Sequence, residues 1–153
     1  MMSLSCKVLL ALKGKTLVTA ESITGGGIGA ALTAVPGSSA VYKGGVISYC
    51  DEVKAGILGV PKAVLEQYGA VSVQTAEYMA SGVRQLLSAD IAVSVTGLAG
   101  PDGDEFGHEV GTVFIGYCDR YRCIAAEHHF TGDREEVRQK TVSSALEMIL
   151  EYN

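Results

Sequence analysis

The stretch that most constrains this chain is Val18-Thr19-Ala20-Glu21-Ser22-Ile23-Thr24-Gly25-Gly26-Gly27-Ile28-Gly29-Ala30. It follows the β-branched run Thr16-Leu17-Val18-Thr19, turns polar at Glu21-Ser22, and passes through three consecutive glycines into an apolar segment able to wind as a helix. The reading is strand, tight loop, helix. At such a junction the helix start presents unpaired backbone N–H groups and a positive dipole end, while glycine lets an anion or carbonyl approach closely. Ser22 on that turn is a candidate hydroxyl nucleophile beside donors for a phosphate or an oxyanion. A serine that only caps the helix is the plainer alternative, but an ordinary turn of that kind does not need three glycines.

The rest of the chain alternates in the same manner. Ser3 to Leu12 reads as a short amphipathic helix closed by Gly14, and Gly27 to Val35 as a helix stopped by Pro36-Gly37-Ser38-Ser39. Ala40 to Cys50 is β-prone at both ends, with the Gly44-Gly45 pair marking a bend or a close backbone approach. Asp51 fits an N-cap for a helix over Glu52 to Leu58, Pro61 fits the first position of a helix running to Tyr68, and Ser72 caps a helix over Val73 to Leu87. Asp90 to Thr96 is a short apolar run suited to the middle of a covered sheet. A glycine-rich loop, Gly97 to Glu109, has the profile of a functional loop. Val110 to Cys118 and Arg122 to Phe130 form a hairpin by spacing, and Gly132-Asp133 opens a helix to the end. This order predicts one domain over residues 1–153: a three-layer α/β/α sandwich whose mixed sheet carries an antiparallel pair from the hairpin. Ser22, Tyr49 and Thr96 fall at predicted strand ends, where ligands bind such sheets.

Composition excludes several classes. A net charge of −5 with only 12 Lys and Arg leaves no basic footprint for a nucleic acid. No apolar run approaches the roughly 20 residues of a membrane span, and no secretory signal opens the chain, so a cytoplasmic protein is expected. Cys6, Cys50, Cys118 and Cys123 form no C-x-x-C pair. Cys118 and Cys123 flank the hairpin turn, but the compartment favours reduced thiols. The apolar content of a small acidic chain suits a homo-oligomer.

Ser22 needs a base. His108 lies in the loop and His128-His129 on the last strand, so a Ser-His-Asp triad finds little support. Lys54 is the lysine nearest a strand end, and desolvation can leave a lysine partly neutral, although a solvated helix lysine is the commoner case. Asp102, Asp104 and Glu105 lack the ligand spacing of a calcium loop and read as loop solubility. Gly25-x-Gly27-x-x-Ala30 is a weak dinucleotide fingerprint, and Tyr49 and Lys54 stand five apart where a Tyr-x-x-x-Lys reductase needs four.

Taken together, Glu21-Ser22-x-Thr24-Gly25-Gly26, Pro36-Gly37-Ser38-Ser39, Gly44-Gly45-Val46-x-x-Tyr49 with Lys54, Gly69-Ala70-Val71-Ser72, Val95-Thr96-Gly97-x-Ala99-Gly100-Pro101 and Val110-Gly111-Thr112-Val113 closely resemble the CinA C-terminal domain family. The resemblance runs over nearly the whole chain, without room for the larger N-terminal domain of full-length CinA proteins. It implies an anticodon-binding-domain-like fold and deamidation of nicotinamide mononucleotide (NMN) to nicotinate mononucleotide and ammonia, in pyridine nucleotide salvage. The implied machinery is a Ser/Lys amidohydrolase with neither metal nor cofactor: Ser22 as nucleophile, Lys54 as base and Tyr49 as a catalytic neighbour that relays the proton. Thr24, Gly25, Gly26, Gly45, Asp51, Thr96, Gly97 and Gly100 are the expected substrate contacts, with oxyanion donors near Gly25-Gly26 or Gly97 and Arg134 or Arg138 on the phosphate. The sequence departs from the family pattern at Ile23, Cys50-Asp51 and His108-Glu109. Asp51 adds negative charge where a neutral amide is expected, which weakens phosphate binding or raises the Lys54 pKa. A nucleotide-binding module without turnover is the alternative, and a Rossmann-type oxidoreductase a distant third.

Overall fold

Two strands, β1 (Leu17–Glu21) and β2 (Tyr42–Ile47), differ in the way that sets the architecture. Every residue of β1 is buried, whereas β2 alternates between half-buried and exposed residues. The first pattern belongs to a strand covered on both faces and the second to an edge. In the computed structural model, which describes residues 1–153, three further strands complete the sheet: β3 (Ile91–Gly97), β4 (Thr112–Cys118) and β5 (Cys123–His129). The order is β2-β1-β3-β4-β5. β2 and β3 run parallel to β1, and β4 and β5 continue antiparallel, so the hairpin read from the sequence supplies the antiparallel pair.

The helices are α1 (Leu4–Ala11), α2 (Gly27–Thr33), α3 (Asp51–Gly56), α4 (Lys62–Tyr68), α5 (Val73–Leu86) and α6 (Arg134–Tyr152). α1, α2 and α6 cover one face, where Val93, Val95, Ile115 and Tyr117 pack with Leu12, Leu32, Leu146 and Ile149. α5 and the α3–α4 region cover the other, where Val18, Ala20 and Ala92 meet Leu58, Met79 and Val83. Successive strand residues serve opposite faces, as the pleat requires. This is the three-layer α/β/α arrangement with a mixed sheet that the sequence predicts.

Local chemistry explains most of the boundaries. Ser3 and Ser72 accept hydrogen bonds from Cys6 N and Thr75 N and cap α1 and α5. Asp133 caps α6 in a reciprocal capping box with Glu136. Three sequence readings need correction. Cys50, without a side-chain bond, is the N-cap of α3, and Asp51 is its first helical residue, so its carboxylate faces the helix dipole instead of closing the turn. Pro61 precedes α4 as its cap residue. Cys118 and Cys123 are direct register partners across the β4–β5 hairpin, with Cα atoms 4.1 Å apart, and they form a disulfide where reduced thiols are expected. No helix is long and apolar enough to cross a membrane.

Candidate active site

β1 runs between β2 and β3, and its C-terminal end delivers Ser22 to the crevice at the strand ends. Ser22 N–H donates to Val95 O on β3 (3.0 Å), which holds the turn against the sheet. The next two residues leave the sheet, and Gly25 and Gly26 adopt φ of +57° and +104°, values that an L side chain rarely takes. The turn is locked from below by Glu21. Its buried carboxylate accepts hydrogen bonds from Thr24 Oγ1 (2.6 Å), Thr19 Oγ1 (3.0 Å), Ile28 N (2.8 Å) and Gly29 N (3.1 Å). Glu21 thus satisfies the open end of α2 and fixes the angle at which the chain leaves Ser22. Its signal in the sequence was a carboxylate at the end of an otherwise apolar and hydroxyl-bearing strand, a residue type that is buried only when paired.

Lys54, on α3, comes from the other side of the crevice. Its Nζ lies 3.1 Å from Ser22 Oγ and donates to Ser48 O (2.8 Å) and Tyr49 O (3.4 Å). Only 1% of Lys54 is exposed, against 8% of Ser22. Burial pushes the Lys54 pKa below the ordinary lysine value of 10.5, with Asp51 and Cys50 pulling in the opposite direction. A lysine of this kind gives up its proton more readily than a surface one, as a general base requires. The one buried side-chain polar atom without a partner, Ser48 Oγ, lies on the residue whose carbonyl orients Lys54.

The dyad opens onto a cleft of about 470 Å³. Ser22, Tyr49, Asp51, Lys54, Thr96, Gly97, Gly100 and Arg134 all line it. Thr96 Oγ1 is tied to Ala70 O at 2.7 Å, so it shapes the wall. Arg134 is exposed at the mouth and donates from Nη1 to Gly100 O (2.6 Å) and from Nη2 to the Tyr49 hydroxyl (3.0 Å). Tyr49 therefore meets Lys54 through its backbone carbonyl, and its hydroxyl, which accepts from Arg134, makes no hydrogen bond to Ser22 or Lys54 of the kind the expected relay would use. The glycine-rich loop is more tightly built than its composition suggests. Asp104 accepts from Phe106 N (3.1 Å) and His108 N (2.9 Å) and pairs with the His108 ring at 2.8 Å. Phe106 packs where a Gly69 side chain would stand, so the loop forms a wall of the cleft. Asp102, Asp104 and Glu105 make that wall acidic.

Five expected substrate contacts lie elsewhere. The Thr24 side chain is buried against Glu21, and neither Gly25 nor Gly26 lines the cleft. Gly45 packs on β1, where any side chain would collide with Thr19 Oγ1. Arg138 lies on the far side of the nucleophile turn. Of the expected oxyanion donors, Gly25 N–H is spent on Ser22 O at 3.1 Å, while the N–H groups of Ile23, Thr24 and Gly26 take no acceptor within the chain. No group of three or more His, Cys, Asp or Glu side chains is placed to hold a metal ion.

The family model for the CinA C-terminal domain matches residues 2–153. A CinA-like protein of Geobacter metallireducens is 46% identical over 136 residues, 89% of this chain and 33% of that protein. A CinA-like protein of a Synechococcus strain is 57% identical over 110 residues, 72% of this chain and 26% of that protein. The chain spans a third or less of the length of these relatives. Among solved structures, the competence damage-inducible protein A of Klebsiella pneumoniae superposes with a TM-score of 0.95 at 40% identity, covering 97% of this chain and 94% of that one. A CinA superfamily protein of Escherichia coli gives 0.95 at 35% identity, covering 98% and 88%. The chain belongs to the CinA C-terminal domain family.

Proposed function

We propose that the protein is a Ser/Lys amidohydrolase acting on the carboxamide of a pyridine nucleotide, with NMN as substrate. The observation that carries this reading is the 3.1 Å approach of a buried Lys54 Nζ to Ser22 Oγ at the floor of an open cleft. In the reaction, neutral Lys54 removes the Ser22 proton as Oγ attacks the carboxamide carbon, and the carbonyl oxygen becomes an oxyanion facing the N–H groups of the Ile23–Thr24 turn. Lys54 then returns the proton to nitrogen as the C–N bond breaks. Ammonia leaves, and an ester on Ser22 remains. Water, deprotonated by Lys54, attacks that ester, and Lys54 passes the proton to Ser22 Oγ as the ester C–O bond breaks, which releases nicotinate mononucleotide and restores the dyad. Arg134, a cation at the mouth beside the start of α6, is the group for the 5′-phosphate.

Ammonia release from NMN tests this directly. Wild-type protein is expected to release it, and Ser22→Ala and Lys54→Ala to abolish it while remaining folded; turnover that survives in either variant rejects the dyad. One observation favours a second reading, a binding module with little turnover: Asp51 raises the proton affinity of Lys54, and the facing wall adds Asp102, Asp104 and Glu105. Thermal stabilisation by NMN without ammonia release would select it.

A further inference from the structure

The Arg138 guanidinium makes two contacts that a merely solvated helix residue does not make. Nε donates to Ile23 O at 3.2 Å and Nη2 to Thr24 O at 3.1 Å, while Nη1 reaches Glu135 Oε2 at 3.4 Å on α6 itself. Ile23 and Thr24 are the two residues after the nucleophile. A trans peptide is planar, with its C=O and N–H pointing in opposite directions. Fixing the Ile23 carbonyl on Arg138 therefore turns the Thr24 N–H away from Arg138, and fixing the Thr24 carbonyl does the same for the Gly25 N–H. The Gly25 N–H, so directed, closes the turn on the Ser22 backbone carbonyl at 3.1 Å. Turned away from Arg138, the Thr24 N–H has no acceptor within the chain, and Ser22 and Ile23 of the same turn line the cleft.

We infer that Arg138 is a positioning residue that clamps the nucleophile turn from behind and holds the Thr24 N–H ready as an oxyanion donor. The donor role rests on the amidohydrolase reading above; the clamp does not. A guanidinium suits the task because one planar fork can reach two successive carbonyls, which the single ammonium of lysine cannot do with the same geometry. A cation on the carbonyl also polarises the peptide, so that its N–H becomes a better donor on the opposite side. The side chain acts from outside the cleft, whose lining does not include it.

The test pairs kinetics with a spectroscopic readout on Arg138→Ala and Arg138→Lys. Loss of an oxyanion donor typically costs 100- to 1,000-fold in kcat; loosening one by removing its clamp is expected to cost roughly 10- to 100-fold with KM changed less than about twofold. Arg138→Lys should remain impaired, and guanidinium ion added to Arg138→Ala should restore part of kcat. The backbone amide signal of Thr24 in a 15N-labelled sample should move in both variants, while amides of the central strands stay in place and confirm the fold. An unchanged kcat, or a rise in KM at constant kcat, overturns the donor role and makes Arg138 a binding residue or a bystander. If the wild type releases no ammonia, the amidohydrolase reading fails and takes the donor role with it. The clamp is then judged by the Thr24 amide alone, and a signal that does not move overturns it.

Discussion

At the scale of single residues, burial converts ordinary side chains into reactive ones, and the conversion has a pH signature. The Lys54 pKa is lowered in the folded protein relative to its free value of 10.5, mainly by desolvation. Between those two values the unfolded chain holds a proton that the folded chain has released, so stability rises with pH across this window; below it the full desolvation penalty applies. Lys54→Met removes the group. The wild-type melting temperature should therefore gain on that of Lys54→Met as pH is raised towards 10.5, and parallel profiles would contradict a buried, depressed lysine. In turnover, kcat/KM should rise with pH and level off once Lys54 is neutral, below the free lysine value. Asp51 holds that pKa up, so Asp51→Asn should shift the rising limb to lower pH; an unmoved limb would assign it to another group. Glu21→Ala removes the shared acceptor of Ile28 N and Gly29 N, two donors left behind the turn at about 1–3 kcal/mol each. Chemical denaturation should show a loss of about 2–6 kcal/mol. Among these residues, Ser22 and Lys54 were legible beforehand through the strand-glycine-helix pattern and the family resemblance. Ser48 and the free N–H groups of Ile23 and Thr24 were not, because backbone hydrogen bonding leaves no mark on residue type.

At the scale of elements, the site is the product of close approaches. α5 packs so tightly on the segment after α3 that a side chain at Gly82 would meet the Leu58 carbonyl. Gly82→Ala must force the two apart, and overpacking of this kind costs about 1–3 kcal/mol. The loss should appear as a lower denaturation midpoint, and an unchanged midpoint would mean that the contact relaxes freely. α6 depends on its start, where Asp133 and Glu136 form the capping box just ahead of Arg138. Asp133→Ala is expected to cost about 1 kcal/mol, and calorimetry would read it directly. Helix and strand identities were largely legible, since the 3.6 and 2.0 periodicities and the cap Ser72 lie within a few residues of what they control. The glycine-rich loop was legible as a loop but not as a wall, because its order comes from Asp104 bonding across its own turn and from Phe106 packing on the distant Gly69.

At the scale of the whole molecule, burial grades from the centre of the sheet to its edges, and stability should follow. β1 and β4 are buried throughout and β3 nearly so, whereas β2 and β5 contain only half-buried and exposed residues. Amide hydrogen exchange should therefore be slowest in β1, β3 and β4 and faster in β2 and β5, and equal protection across the sheet would contradict the edge assignment. By itself the sequence determined the order of elements and the three-layer class, because both depend on local periodicity; Ser22 and Lys54 were expected together only through the family resemblance, and the fold is what sets Lys54 Nζ 3.1 Å from Ser22 Oγ. Tertiary structure alone decided which groups face the cleft. Arg134 and Arg138 lie one turn apart on the same helix, yet one lines the cleft mouth and the other grips the back of the nucleophile turn. Gly45, beside the site in sequence, packs on Thr19, and Cys118 meets Cys123 because the hairpin register sets them opposite. These outcomes depend on how distant segments are brought together in space, and residue type at a single position does not encode that.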